Sequence, residues 1–360
     1  MSALGNENPY ASLYWDMLAQ GKKDYASDIH IQPERDGVKI RFRVNGELLT
    51  WKSIGLVHKA PFLQEAKRLS QCSLSVSLRA QDSRISIPEI SLDVRVNLVP
   101  TLHGEKLVLR LLDQSRAFAL NSMNLGQEAT AAIRRALGHD TGVCLITGPT
   151  GSGKTTLLYS ALEALDRASL NIVTIEDPVE YTFPGITQLQ VSAKLGFGDA
   201  LRAMMRQDPD VILVGEVRDR ETAELCFQAA ATGHLVLSTL HANDAKEVAG
   251  RLGGLGIRED QITSCLRFAS AQRLLGKLCQ KCKRPLTAQE SQALSAEVDG
   301  PLWTRSQEGC PACKRGLVGR LPAFEYVETM GNRKSVSLEE TMRSLSYGGE
   351  VDAYEVFSAA

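Results

Sequence analysis

Eight residues, Gly148-Pro149-Thr150-Gly151-Ser152-Gly153-Lys154-Thr155, fit the pattern G-x-x-x-x-G-K-[S/T], and they constrain the fold more than any other stretch of this chain. An apolar run at 143–147 precedes them and reads as a buried strand, and a helical stretch beginning at Thr156 follows. Strand, glycine loop and helix together predict an anion cradle. The glycines let backbone N–H groups turn inward, and the helix N-terminus adds partial positive charge. Lys154 is then placed to reach the β- and γ-phosphates of a nucleotide, and the Thr155 hydroxyl to ligate Mg²⁺. A bare match also arises by chance in a long chain. The strand before it and the helix after it are what favour a nucleoside triphosphate site.

A length of 360 residues predicts two or three domains. Hydrophobic residues at 43% and charged residues at 23% place the chain in the soluble globular class. The formal net charge of −1 gives no electrostatic footprint of a dedicated nucleic-acid binder, leaving room only for a local basic groove. Apolar runs of about six residues fall far short of the ~20 that a membrane span needs. Residues 1–10 lack the charged and apolar regions of a signal peptide, so the expected location is cytoplasmic. In that compartment the eight cysteines stay reduced. Four of them fall in two C-x-x-C pairs, which points to metal.

Residues 9–24 carry Tyr10, Leu13, Met17 and Leu18 at helical spacing. The segment 38–44 alternates with period two and ends at Asn45-Gly46, a hairpin signal. A charged helix is expected near 61–69, and strands at 91–99, ending at Pro100, and 106–112, joined by a turn at His103-Gly104. These elements predict an α+β domain over 1–113. A polar connector at 114–126 follows. Strands at 143–147, 171–175, 211–215 and 235–239 alternate with helices, which predicts a parallel sheet over 127–275. The helix from Arg220 has Asp219 as N-cap and Gly233 as its stop. A cysteine module spans 276–316, and a mostly helical tail 317–360. There is no internal repeat.

Four further sets of residues carry chemistry. Residues 210–216 form an apolar strand ending in Glu216, an acid placed to hold Mg²⁺ or its water across from the loop; the bland alternative is a buried strand ended by a surface acid. Glu176, Asp177 and Glu180 follow the preceding strand, with Pro178 turning the chain. There a carboxylate can polarise an attacking water, or the turn can simply be solvated. His234 and His241 bracket the strand expected beside Glu216, where they can contact phosphate, relay its state or serve structure alone. Cys279, Cys282, Cys310 and Cys313, with 27 residues between the pairs, suit a closed tetrahedral Zn²⁺ site. A redox role is the competitor, and no thioredoxin-like βαβ context surrounds either pair.

Together these motifs resemble the secretion ATPase superfamily that powers type II secretion and type IV pilus assembly. The stretches GPTGSGKTT, TIEDPVE, RQDPDVILVGEVRD and TGHLVLSTLHAND look like its phosphate loop, aspartate box, second acid motif and histidine box. Residues 26–33 and 41–46 look like its N-terminal signature, so the resemblance covers roughly 20–320. It implies an α/β chain: a PAS-like α+β N-terminal domain, then a RecA-like P-loop ATPase domain with a small four-cysteine zinc module.

It also implies a homohexamer with ATP between the lobes, working at the cytoplasmic face of the inner membrane on a platform protein, without inserting and without nucleic acid. By resemblance, residues 148–156 (through Thr156) and His234 bind nucleotide, Glu176 is the general base and Glu216 positions Mg²⁺ through water. His241 assists, and Arg95 and Arg110 close on the γ-phosphate. Two departures stand out. The chain begins almost directly at the first lobe, where assembly ATPases carry a docking domain, and retraction ATPases with that short start lack the cysteines. In 79–84, Ala80 and Ser83 stand where the family has Pro and Gly. The expected function is pilus or pseudopilus assembly. Pilus retraction, a nucleic-acid translocase and a regulatory scaffold without turnover are the alternatives.

Overall fold

Period-two patterning builds the first of two compact units, residues 1–117. The computed structural model describes residues 8–115, 118–294, 301–330 and 333–357. The start of the chain, two connector positions (116–117), part of the cysteine module (295–300) and tail positions 331–332 and 358–360 lie outside the described residues.

The first helix, α1 (Pro9–Lys23), starts where Asn8 accepts the Tyr10 N–H at 3.0 Å and Pro9 needs no N–H partner. It is followed by β1 (Asp28–Glu34), β2 (Gly37–Val44), β3 (Glu47–Gly55), α2 (Leu56–Leu69), β4 (Gln81–Ile87), β5 (Leu92–Thr101) and β6 (Gly104–Asp113). The strands form an antiparallel sheet in the order β3-β2-β1-β6-β5-β4. Ile29, Ile31, Ile40, Phe42, Val94, Val96, Leu107 and Leu109 alternate inward and meet Tyr14, Met17, Leu18 and Phe62 of the helices in one core. The β2–β3 turn has positive φ at Asn45 (52°) and Gly46 (89°), as a two-residue hairpin requires. Two boundaries differ from expectation: α2 begins at Leu56, and β5 runs through Pro100 to Thr101.

The second unit comprises 118–360. Its elements are α3 (Gln127–Leu137), β7 (Gly142–Thr147), α4 (Lys154–Ala164), β8 (Ile172–Glu176), β9 (Thr187–Gln190), α5 (Phe197–Met204), β10 (Val211–Val214) and α6 (Arg220–Ala231). Then come β11 (Leu235–Leu240), α7 (Glu247–Gly254), α8 (Glu259–Cys265), β12 (Leu266–Leu278), β13 (Arg284–Pro285), α9 (Ala288–Ala293), β14 (Trp303–Thr304), β15 (Leu317–Glu328), β16 (Arg333–Lys334), α10 (Leu338–Tyr347) and α11 (Ala353–Phe357). The main sheet has the order β16-β15-β12-β7-β11-β10-β8-β9, parallel from β12 to β9. Strands β7, β8, β10 and β11 are buried along their whole length because helices cover both faces. Val143, Leu145, Ile175 and Val214 pack toward α5 and α6, while Ile146, Ile172, Leu213 and Leu237 pack toward α3 and α4.

Three expectations need correction. The tail is not mostly helical, because Leu317–Glu328 is a main-sheet strand antiparallel to β12. A core boundary at 275 cuts through β12. The connector belongs in part to the second unit: Phe118 is buried against the rings of Tyr159, Tyr181 and Phe183, and Leu120 is buried in the same cluster. Anchors this sparse leave no periodicity to read.

Candidate active site and metal centre

The sheet's hydrogen bonding fixes the loop 148–153 between the end of β7 and the start of α4. Gly148 (φ 139°) and Gly153 (φ 92°) adopt conformations closed to other residues, and both are crowded: a Cβ would lie 2.4 Å from the Gln272 carbonyl at Gly148 and 2.6 Å from the Gln272 Nε2 at Gly153. Lys154 opens α4, with Nζ donating to the carbonyls of Gly148 (2.7 Å) and Pro149 (3.0 Å). Burial lowers its pKa; the Glu216 carboxylate opposes that shift and the Arg273 guanidinium adds to it. Thr155 and Thr156 continue the first turn of α4, and Thr150, Gly151 and Ser152 form the rest of the loop. The hydroxyls of Thr147 and Ser152 are buried without a hydrogen-bond partner, an unsatisfied polar lining of the kind a ligand completes.

Parallel register carries Glu216 and His241 to the same end of the sheet as the loop. Val214 pairs with Ser238 and Leu240 with Thr147. The hydroxyls of Ser238 and Thr239 donate to the carbonyls of Val214 (2.6 Å) and Gly215 (2.8 Å), locking the two strand ends together. Beyond them His241 Nε2 lies 2.7 Å from Glu216 Oε1, and Arg218 Nε lies 2.8 Å from Oε2.

Glu176 ends β8 but is turned toward α4. Its buried carboxylate accepts from the Tyr159 hydroxyl, the Thr174 hydroxyl (2.6 Å) and the Gln188 amide (3.1 Å). Burial, then the Glu176 charge, raises the Tyr159 pKa, so the phenol stays a donor. Asp177 is exposed at the following turn, and the Glu180 N–H donates to the Tyr159 oxygen at 3.2 Å.

The structure does not bring His234 to the loop. It precedes β11, with its carbonyl accepting from the Gly142 N–H (3.1 Å) and its Nδ1 2.7 Å from the Ala229 carbonyl. The loop lies at the other end of the strands, roughly 20 Å away for six residues of strand. Two histidines flanking one strand necessarily sit at its opposite ends.

Arg95 and Arg110 belong to the first unit, where they are direct cross-strand partners, and Arg84 pairs with Arg95 on the other side. Arg110 Nε contacts Asp28 at 3.1 Å and Arg84 contacts Asp93 at 2.6 Å.

Two residues that sequence patterns miss are Gln272 and Arg273. The Gln272 amide donates to the Ser152 carbonyl at 2.8 Å. β12 is buried along most of its length and shows no alternation, so its course beside β7 is legible only in the sheet.

The four cysteines converge. Their sulfurs lie within 4.8 Å of one another, and the Cys279–Cys310, Cys282–Cys313 and Cys310–Cys313 separations are each 3.7 Å. A tetrahedron of ~2.3 Å Zn–S bonds has edges of about 3.8 Å, so the thiol set fits such an ion.

Fold and site thus define a class: a parallel α/β protein with a glycine loop of phosphate-binding pattern, faced by an acid and a histidine on neighbouring strand ends. The chain belongs to the type II/IV secretion system protein family, which matches residues 4–349. It is 41% identical over 315 residues to the type II secretion system protein HxcR of Pseudomonas aeruginosa, covering 86% of this chain and 64% of that protein. It is 40% identical over 340 residues to the type IV pilus assembly ATPase PilB of Myxococcus xanthus, covering 91% and 60%. The chain therefore spans 60–64% of the length of these relatives. Its fold is similar to the Legionella pneumophila ATPase DotB, with a TM-score of 0.71 at 20% identity over 96% of this chain and 95% of that one. It is also similar to the pilus retraction motor PilT with bound ADP, at 0.65 and 23% over 96% of each.

Proposed function

We propose that this chain is the motor ATPase of a pilus- or pseudopilus-building machine, hydrolysing ATP to ADP and phosphate. The observation that carries the reading is the meeting of Lys154 and the glycine loop with Glu216 and His241 at one end of a parallel sheet. Loop amides and the α4 N-terminus receive the inner phosphates, and Lys154 exchanges its loop carbonyls for the outer ones. Thr155 and Glu216 would hold Mg²⁺, which would supply charge neutralisation at the phosphates. His241 orients the Glu216 carboxylate. Glu176 is assigned as general base, in a state where its carboxylate leaves Tyr159 and reaches the attacking water. Arg95 and Arg110 of the PAS-like unit are assigned as charge-stabilising contacts to the γ-phosphate. Zn²⁺ on Cys279, Cys282, Cys310 and Cys313 is structural.

The names of HxcR and PilB support an assembly or secretion role, and the cysteine module favours that over retraction. We assign a homohexamer at the cytoplasmic face of the inner membrane with a polytopic platform protein as partner. No helix of the described residues is long and apolar enough to cross a membrane.

Steady-state phosphate release and nucleotide titration test the reading. Lys154→Ala is expected to lose both binding and turnover. Glu216→Gln is expected to bind ATP and turn over at least ~100-fold more slowly, the scale of losing one preorganised electrostatic contact. Near-wild-type turnover by Glu216→Gln removes its assigned role. ATP-loaded Glu216→Gln, pulled down from native membranes, is expected to recover a membrane platform protein with pilins; nucleic acid alone in that fraction overturns the assignment.

A further inference from the structure

No sequence pattern singles out Arg273, yet it is a cation that the sheet brings to the loop. It follows Gln272, whose amide is bonded to the Ser152 carbonyl, so the register of β12 beside β7 fixes it next to the glycine loop. A cavity of about 420 Å³ opens there, walled by Gly148 and Pro149, by His241 and Asn243, and by Arg273. The guanidinium donates to the carbonyls of Asn243 (3.2 Å) and Gln272 (3.4 Å). Those contacts use two of its five N–H donors.

Glu325 stands behind it. β12 and β15 pair Ala271 with Glu325 and Arg273 with Ala323, which puts Arg273 and Glu325 on one face of the ribbon. Glu325 is only 4% exposed. It accepts the backbone N–H of Ala245, four residues beyond His241, and that of Leu338, the first residue of α10, at 2.5 Å. One buried anion thus backs Arg273, ties down the segment that carries His241 and holds the start of α10.

Burial lowers the pKa of Arg273 and the Glu325 charge opposes it. Arg273 in turn lowers that of Lys154, so the two half-buried cations repel each other across the start of the loop, and Arg251 and Glu247 complete the charged lining of the cavity. Such proximity is costly by itself and favourable once a polyanion bridges the two cations. The cavity wall is the first two residues of the loop together with the histidine that contacts Glu216. Lys154 Nζ donates to the carbonyls of those same two loop residues, so the cavity opens beside the group that reaches the β- and γ-phosphates in this pattern.

We propose that Arg273 is a second cationic contact for the terminal phosphate of a nucleoside triphosphate on the loop, positioned by Glu325; this rests on the nucleotide reading above. The contact discriminates triphosphate from diphosphate and links that discrimination, through Glu325, to the packing of β15 and α10.

The test is titration of the full chain with Mg²⁺ and either a non-hydrolysable ATP analogue or ADP. Arg273→Gln is expected to weaken the ATP analogue about tenfold to a hundredfold, the range for a hydrogen bond to a charged group, and ADP by less than about twofold. Retained ADP affinity doubles as the check that the variant folds. Arg273→Lys, which keeps the charge but not the fork, is expected to recover part of the lost affinity. Glu325→Gln is expected to reduce the triphosphate preference in the same direction with ADP binding intact. Equal weakening of both nucleotides, or no change in their ratio in either Arg273 variant, overturns the proposal. An unchanged ratio in Glu325→Gln overturns the positioning role. If the wild-type chain binds neither nucleotide, it is the underlying reading of the loop that fails.

Discussion

Glu176 ends β8 and Glu216 lies two residues past the end of the neighbouring parallel strand β10, but their surroundings give them different work. Glu216 is met by His241 and Arg218 and feels Lys154, whereas Glu176 is turned against α4 and saturated by Tyr159, Thr174 and Gln188. Both acids are legible in the sequence as the ends of apolar strands. Which way each carboxylate turns is not, because that depends on the side chains of α4 and β9 packed beside β8. The Tyr159 contact yields a prediction. Tyr159→Phe keeps the ring packing with Phe118, Tyr181 and Phe183 but removes a buried donor to a carboxylate, and is expected to destabilise the protein by about 1.5–3 kcal/mol. Urea unfolding with an unchanged m-value measures it, and the double variant with Glu176→Gln is expected to lose less than the sum of the two. A stability change for Tyr159→Phe within ~0.5 kcal/mol, the range of an uninvolved surface position, means that the bond contributes little.

At the scale of elements, legibility follows the pattern each strand must carry. β2, β5 and β6 have one face on a core and read by alternation, and β7, β10 and β11 read as short apolar runs between turn residues. β12 and β15 mix buried and half-buried positions without a period, so Gln272, Arg273 and Glu325 stay hidden in them. Helix ends read well where a cap is present. The Asp219 carboxylate accepts the Thr222 N–H at 2.8 Å and starts α6 one residue on, as its position in the sequence predicts. Asp219→Ala is expected to cost about 1 kcal/mol and Asp219→Asn much less, since asparagine caps nearly as well. Thermal melts of the two variants check the order, and equal melting temperatures contradict it.

Across the whole molecule, the cysteine module is tied back to the main sheet. The Cys279 N–H donates to the Gly316 carbonyl, and Leu278 and Lys283 reach Glu350 and Gly349 of the C-terminal segment. Metal removal is therefore expected to loosen the end of the β12–β15 ribbon as well as the module. One equivalent of zinc per chain by elemental analysis, and its loss with a lowered melting temperature in Cys279→Ser, are the expected results; purified wild-type protein without stoichiometric zinc refutes the metal assignment. The amino-acid sequence by itself determined the loop, the alternation of strand and helix, the acids and His241 at strand ends, and the four-thiol set. Each of these rests on residues a few positions apart, where periodicity, turn chemistry and ligand spacing act. Tertiary structure alone decided the order β12-β7-β11-β10-β8, which joins Gln272 and Arg273 to the glycine loop and builds residues 317–328 into the sheet. Strand neighbours are chosen by crossover connections and by burial of both faces, which are long-range conditions that no local pattern encodes.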